Sequence, residues 1–390
     1  MSRRSRLGPA LLATSLASCR PGGAPEAVTV PEWTVVEELR IGSVDDPSQS
    51  LTTVRGIAVD AEGRVYVGQP QDNVIRVFDP GGVAVRTIGG PGQGPGEFQR
   101  LVALGLLADT LYASDLTSRR VTFFSLDGTV LDAFTIRPPL DPPFAPFGAA
   151  MMFPDGSVLA PVGVPAGLPG VDLSHVPTLR ADRRGEILDT FATSSYERMW
   201  TSIETDNGNP LTVTQTFDDE PIVAISRDGR RVATVERPTP TSGETTTFRV
   251  TVTDPAANEI VFTRAYEYLP VTIDPTVVDS AVAQSVRARL RFFTSQARAE
   301  AAVRAALRIP GHFLPVARAE YSEGGDLWLA REDLPDADQA WWVVGEMGDV
   351  VARVTLPMGF DPQLIRTDEL WGVQPDELDV PYVVKYRIVR

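Results

Sequence analysis

The reading turns on residues 56–98, GIAVDAEGRVYVGQPQDNVIRVFDPGGVAVRTIGGPGQGPGEF. The apolar run Gly56 to Val59 meets a tight polar turn, Asp60 to Gly63, and is followed by Val65-Tyr66-Val67, by Val74 to Phe78 and by Val83 to Ile88. Short β-branched and aromatic runs separated by Gly, Asp and Asn read as consecutive antiparallel strands, because tight hairpin turns need the positive φ those residues tolerate. The Gly-rich run that ends at Phe98 is a poor phosphate cradle, since no Lys-Ser/Thr follows it and no helical pattern begins there.

Outward from this stretch the pattern recurs. A polar turn and a second strand appear again at Ala108 to Ala113, Pro154 to Leu159, Arg227 to Val232, Glu323 to Leu329 and Thr367 to Gly372. Where no insert intervenes the repeats start about 40 to 50 residues apart, the size of a four-stranded propeller blade. The expected fold is therefore all-β: a six-bladed β-propeller with four-stranded antiparallel blades. The last repeat offers only Gln363 to Ile365, Glu369 to Gly372 and Pro381 to Val389, while Trp33 to Ile41 is a strand without a repeat of its own. An open ring would expose strand edges, so the N-terminal strand is expected to close the last blade.

Residues 56–98, with Leu111-Tyr112-Ala113-Ser114-Asp115 and Val121-Thr122-Phe123-Phe124 after them, resemble the NHL repeat. Over about residues 33–390 the chain is similar to bacterial six-bladed β-propeller lipoproteins related to NHL-repeat proteins. The N-terminus agrees with that resemblance. Arg3, Arg4 and Arg6 precede a short apolar run from Leu7 to Leu16, and Leu16-Ala17-Ser18-Cys19 fits a lipobox. The run is too short to span about 30 Å of hydrocarbon. The resemblance implies a signal peptide over residues 1–18, cleavage before Cys19, and acylation of that cysteine with chains such as palmitate. Residues 19–32 then form a flexible tether and residues 33–390 the propeller, lipid-anchored to the cell envelope and facing outside the cytoplasm.

Residues 274–309 break the β pattern between the fourth and fifth repeats. Asp274 suits a helix N-cap and Pro275 the first helical position, Val278, Val282, Val286 and Leu290 share a face, and Thr294-Ser295 divides the segment. The opposite face carries Arg287, Arg289, Arg291, Arg298, Arg304 and Arg308. Such a helix can lie on an anionic membrane or pack against its own acidic body, and the Val- and Ala-rich face favours the second.

Composition narrows the chemistry. With 43% hydrophobic residues the chain can bury a large core, and its formal charge of −15 repels phosphate backbones, arguing against nucleic acid. One cysteine and two histidines supply neither a typical zinc site nor a Cys-His nucleophile. Ser174 and His175 are sequence neighbours without a nucleophile-elbow motif. The expected ligand face comprises Arg55, Asp72, Asn73, Arg100, Asp115, Arg119, Arg331, Asp333 and Asp376, at strand starts and in the loops after second strands. The leading expectation is a non-catalytic binding or scaffold module for a protein, peptide or glycan. The alternative is a calcium-dependent hydrolase of lactonase type, with Asp115 or Asp376 binding the cation at the channel mouth.

Overall fold

The computed structural model describes residues 30–137, 145–146, 148–163, 171–331 and 337–390. The leader, Cys19 and Asp333 lie outside the described residues. The first strand, β1 (Glu32–Ile41), precedes a sheet of β2 (Ile57–Val59), β3 (Val65–Gln69), β4 (Val74–Phe78) and β5 (Ala84–Gly89). Next come β6 (Leu101–Leu107), β7 (Thr110–Asp115), β8 (Arg120–Ser125) and β9 (Val130–Thr135). In the following sheet two short segments, β10 (Ala145–Pro146) and β11 (Met151–Met152), both pair with β12 (Val158–Gly163), which continues to β13 (Val176–Ala181) and β14 (Ile187–Ser194). A separate hairpin, β15 (Trp200–Glu204) and β16 (Pro210–Thr214), leads to β17 (Ile222–Ile225), β18 (Val232–Glu236), β19 (Thr246–Asp254) and β20 (Glu259–Tyr268). Helices α1 (Pro275–Arg289) and α2 (Gln296–Ala306) follow. The chain ends with β21 (Arg318–Tyr321), β22 (Leu327–Ala330), β23 (Gln339–Val344) and β24 (Val350–Leu356), then β25 (Asp361–Ile365), β26 (Glu369–Pro375) and β27 (Pro381–Val389).

Consecutive strands of each sheet pair antiparallel, and most of the turns between them carry Asp, Asn or Gly where positive φ is needed, Ala108 and Arg119 taking that conformation in the β6–β7 and β7–β8 turns. The sheets pack face to face in chain order. Tyr66, Ile75, Leu104 and Phe124 share one cluster between the β2–β5 and β6–β9 sheets, and Tyr112, Phe123, Val158 and Leu179 share the next. Leu364, Trp371 and Val383 of the last sheet pack on Ile57, Val65 and Phe78 of the first, so the series closes on itself. The molecule is a β-propeller.

β1 performs the closure. Glu32 and Trp33 pair in parallel with Arg353 and Val354 of β24, after which Thr34 to Ile41 run antiparallel to β27 from Val389 to Val383. The strand therefore completes the last sheet as its fourth member while its first two residues hold the sheet before it. Its side chains follow that position: Ile41 is 1% exposed in the core between the last and first sheets, whereas Val36 is 45% exposed.

The helices do not cover the ring itself. Val282, Val286, Ala299 and Val303 pack with Ile203 and Val213 of the β15–β16 hairpin, so hairpin and helices form one satellite unit. Asp274 caps α1 by accepting from Thr276 N at 2.8 Å, and Ser295 caps α2 by accepting from Arg298 N at 3.3 Å. Buried Gln215 finishes α2, donating to the Ala306 carbonyl at 3.0 Å and accepting from Arg308 N at 2.8 Å. Several of the arginines are engaged within the molecule: Arg304 pairs with Asp279 and Glu300, Arg298 with Asp206, and Arg289 donates to the Thr212 carbonyl.

β1 provides a direct test of how the ring closes. Ile41→Ala is expected to lower unfolding free energy by about 3 kcal/mol, and Val36→Ala by less than about 0.5 kcal/mol, in urea denaturation of the two variants. Equal losses would contradict the burial pattern of the strand.

Candidate functional site

One strand near the start of each propeller sheet faces the ring axis. β2, β6, β11, β17, β21 and β25 all contribute to one cavity of about 510 Å³, whose lining includes Ile57, Leu104, Met151, Ala224, Glu320 and Gln363. Because side chains alternate along a strand, alternate residues of each first strand point to this cavity and the others into the packing between sheets. Close approach is needed there. A Cβ on Gly105 would sit 2.4 Å from the Tyr112 hydroxyl oxygen, an atom that accepts a hydrogen bond from Met152 N at 3.2 Å and so ties β7 to β11.

The polar groups gather on one side of the axis. Arg318 on β21 is paired with Glu320 two residues on and with Asp361 of β25, and donates to the Pro362 carbonyl at 2.6 Å. Gln363 donates to Asp361 at 2.8 Å and accepts from Gly56 N at 2.9 Å, which carries the network to β2. Arg227, just beyond β17, also lines the cavity. Burial raises the Glu320 carboxyl above its ordinary range, with Arg318 opposing the shift. Desolvation works against charge on Arg318, but the adjacent Glu320 and Asp361 carboxylates outweigh it and hold the guanidinium protonated.

The residues expected at the ligand face divide by what they touch. Arg55 and Arg100, at the starts of β2 and β6, line a second cavity of about 270 Å³ together with Leu116, Ala149 and Pro161. Asp115 lies beside them but is occupied: one oxygen accepts from Gln99 N at 2.5 Å and Arg100 N at 2.8 Å, the other from Ser118 N at 2.7 Å and Oγ at 2.9 Å. Burial pushes its pKa up, yet these hydrogen bonds win and hold it below the ordinary value. Asp72 accepts from Thr52 Oγ1 at 2.7 Å. Asn73, at a φ of 55°, accepts from Leu101 N at 3.0 Å and links the first two sheets, and Arg119 takes the matching turn position before β8 at a φ of 54°. Arg331 lies over the rings of Trp342, Tyr268 and Phe248, 4.6 to 5.9 Å from their centroids. Asp376 closes the β26–β27 turn through Leu378 N and Val380 N. Ser174 donates to Asp172 and contacts His175, an order that leaves the histidine outside any Asp-His-Ser relay.

These carboxylates are engaged within the molecule. Asp115 and Asp376 serve backbone N–H groups, Glu320 and Asp361 face an arginine, and among the described residues no three His, Cys, Asp or Glu side chains converge to hold a metal ion. Sequence reasoning missed the channel set Arg227, Arg318, Glu320, Asp361 and Gln363. The signal was the i, i+2 spacing of Arg318 with Glu320 and of Asp361 with Gln363 on first strands, which places each pair on one face.

Neither a family model nor a curated protein matches the sequence. Solved structures do resemble it. A member of the DUF4221 family from Bacteroides vulgatus aligns at 10% identity and a TM-score of 0.49, covering 92% of this chain and 99% of that one. A putative exported protein from Bacteroides fragilis aligns at 11% and 0.46, covering 91% and 96%. The PQQ-bound form of aldose sugar dehydrogenase from Streptomyces coelicolor aligns at 13% and 0.45, covering 92% and 100%. The likeness is one of fold, and at these identities it carries nothing about activity.

Removing the Asp115 carboxylate leaves the part-buried N–H groups of Gln99, Arg100 and Ser118 without their acceptor. Asp115→Ala is expected to cost about 3 kcal/mol at pH 7, read by urea unfolding. The folded pKa is depressed, so this stabilisation is present above the unfolded value and disappears as pH falls through the folded one; the gap between wild type and variant should narrow below about pH 4. A gap that widens on acidification would refute this role.

Proposed function

We propose that the chain is a lipid-anchored, extracytoplasmic six-bladed β-propeller that binds a peptide, glycan or protein segment at its central channel without transforming it. The observation that carries this reading is the 510 Å³ cavity, built from β2, β6, β11, β17, β21 and β25 and combining apolar walls with Arg227 and Gln363. A concave, mostly preformed pocket with a few convergent polar groups suits ligand binding. Its lining acid, Glu320, is already matched: with the neighbouring Asp361 it faces Arg318, an arrangement suited to holding a polar partner by exchange of hydrogen bonds rather than to proton transfer. Counting β1 with β25–β27, the sheets support six blades of four strands.

The anchoring part rests on the lipobox Leu16-Ala17-Ser18-Cys19, which contains the sole cysteine of the chain. Among the described residues no helix is long and apolar enough to cross a membrane. Acyl chains on Cys19 would supply attachment, each buried CH₂ contributing about 0.8 kcal/mol. Cys19→Ser is expected to abolish incorporation of labelled palmitate and to shift the protein out of the membrane fraction; unchanged labelling would defeat the assignment.

Binding is tested by equilibrium dialysis of the purified chain against pooled short peptides and oligosaccharides, with mass spectrometry of what is retained. The expected outcome is retention of unmodified compounds, weakened at least about tenfold, or about 1.4 kcal/mol, by Arg227→Glu at unchanged melting temperature. Retention indifferent to Arg227→Glu, or conversion of the retained compound, would overturn the reading.

A further inference from the structure

We infer that the cavity beside the channel, between Arg55 and Arg100, takes an organic carboxylate carrying an apolar body. The inference deepens the binding function proposed above and rests on it, since this cavity shares Val102, Ala103 and Ala150 with the channel lining. It holds about 270 Å³, and apart from the two arginines every residue lining it is apolar or glycine, including Val102, Leu116, Ala149 and Pro161.

Three observations converge on an anion of this kind. First, Arg55 and Arg100 are exposed, and among the described residues neither guanidinium has a hydrogen-bond or ion-pair partner. Elsewhere this acidic protein pairs arginine freely, as in Arg64 with Asp60, Arg237 with Asp218 and Arg366 with Glu323. Two like charges on one cavity wall with no lining carboxylate repel each other, and a bound anion relieves the repulsion. Second, the backbone under them is fixed. Asp115 holds the N–H groups of Gln99 and Arg100, the Arg100 carbonyl accepts from Leu116 N at 2.9 Å, and Arg55 N donates to the Gly68 carbonyl at 2.9 Å. Gly68 is required by that approach, since a Cβ there would lie 2.5 Å from the Arg55 carbonyl oxygen. With the backbone already fixed, only side-chain freedom is lost when the two arginines engage a ligand.

Third, the walls select the rest of the ligand. A carboxylate presents two oxygens that the guanidinium forks satisfy, leaving its organic body for the apolar surface. Inorganic phosphate would turn further charged oxygens toward groups that cannot hydrogen-bond to them, at a desolvation cost. The site therefore reads charge at its rim and hydrophobicity in its interior.

The test uses octanoate, octanamide and inorganic phosphate as probes, titrated calorimetrically into the purified chain at low ionic strength. Octanoate is expected to bind, octanamide and phosphate at least tenfold more weakly. Arg55→Gln and Arg100→Gln should each weaken octanoate at least tenfold, Arg55→Lys should fall between wild type and Arg55→Gln, and Arg86→Gln on the outer strand β5 should bind as wild type. Melting temperatures verify that each variant is folded. Octanoate and octanamide binding alike, phosphate binding as tightly as octanoate, no octanoate binding, or indifference to both glutamine variants would each overturn the inference. If any of these occurs while dialysis still shows Arg227-dependent retention, the carboxylate site alone falls; if retention fails as well, the channel-binding function falls with it.

Discussion

Everything in this molecule depends on the pairing of β1 with β27. A ring of sheets gains its core only from neighbour-on-neighbour packing, so one missing contact exposes two apolar faces rather than one. Here the first strand of the chain joins the last, with Thr34 opposite Val389 and Ile41 opposite Val383, and reaches β24 through Glu32 and Trp33. Closure therefore brings together residues more than three hundred positions apart. Its long-range loop entropy is met once, by hydrogen bonds along β1 and by burial of Ile41, Leu364 and Trp371 against the first sheet.

Closure also explains where polar groups are placed. Hydrophobic faces of similar shape slide over one another, whereas a directed hydrogen bond fixes their register. Such bonds recur between neighbouring sheets: Asn73 to Leu101 N, Ser114 to Ala149 N, Arg237 to the Val316 carbonyl, Arg318 to the Pro362 carbonyl, and Arg366 to the Val59 carbonyl. Asp115 belongs to this set. Sequence reading expected it at a ligand face; in the structure it is the acceptor that orders the Arg100 backbone. Its buried carboxylate is stabilised by the donors around it, which leaves little capacity for a cation or a substrate.

Legibility in the sequence followed the range of the interaction. The stretch 56–98 was readable because its determinants are local: Gly63 and Gly82 take φ of 82° and 83°, and Asp79 accepts from Gly81 N and Val83 N to close its own turn. Asp274 and Pro275 were readable for the same reason, since an N-cap acts within one turn of helix. The β15–β16 hairpin was not. Trp200–Glu204 and Pro210–Thr214 have no counterpart in the repeat, and Ile203 and Val213 find their apolar partners mainly in α1 and α2, some 70 to 100 residues later. The split of one first strand into Ala145–Pro146 and Met151–Met152 was likewise hidden, because two-residue segments carry no period to read.

The candidate site residues divide along the same line. Arg55 and Arg100 could be placed at strand starts from the repeat alone, and they meet at one cavity because every repeat begins at the same end of the ring. Arg318, Glu320, Asp361 and Gln363 required more, since their meaning lies in pairing across neighbouring first strands about forty residues apart. Period two says that Arg318 and Glu320 share a face; only the packing of β21 beside β25 shows that the face meets Asp361. The channel thus separates two kinds of arginine. One is balanced by carboxylates and holds the wall together, and the other stands on an apolar cavity without such a partner, so an incoming anion gains most at Arg55 and Arg100, where it displaces no existing ion pair.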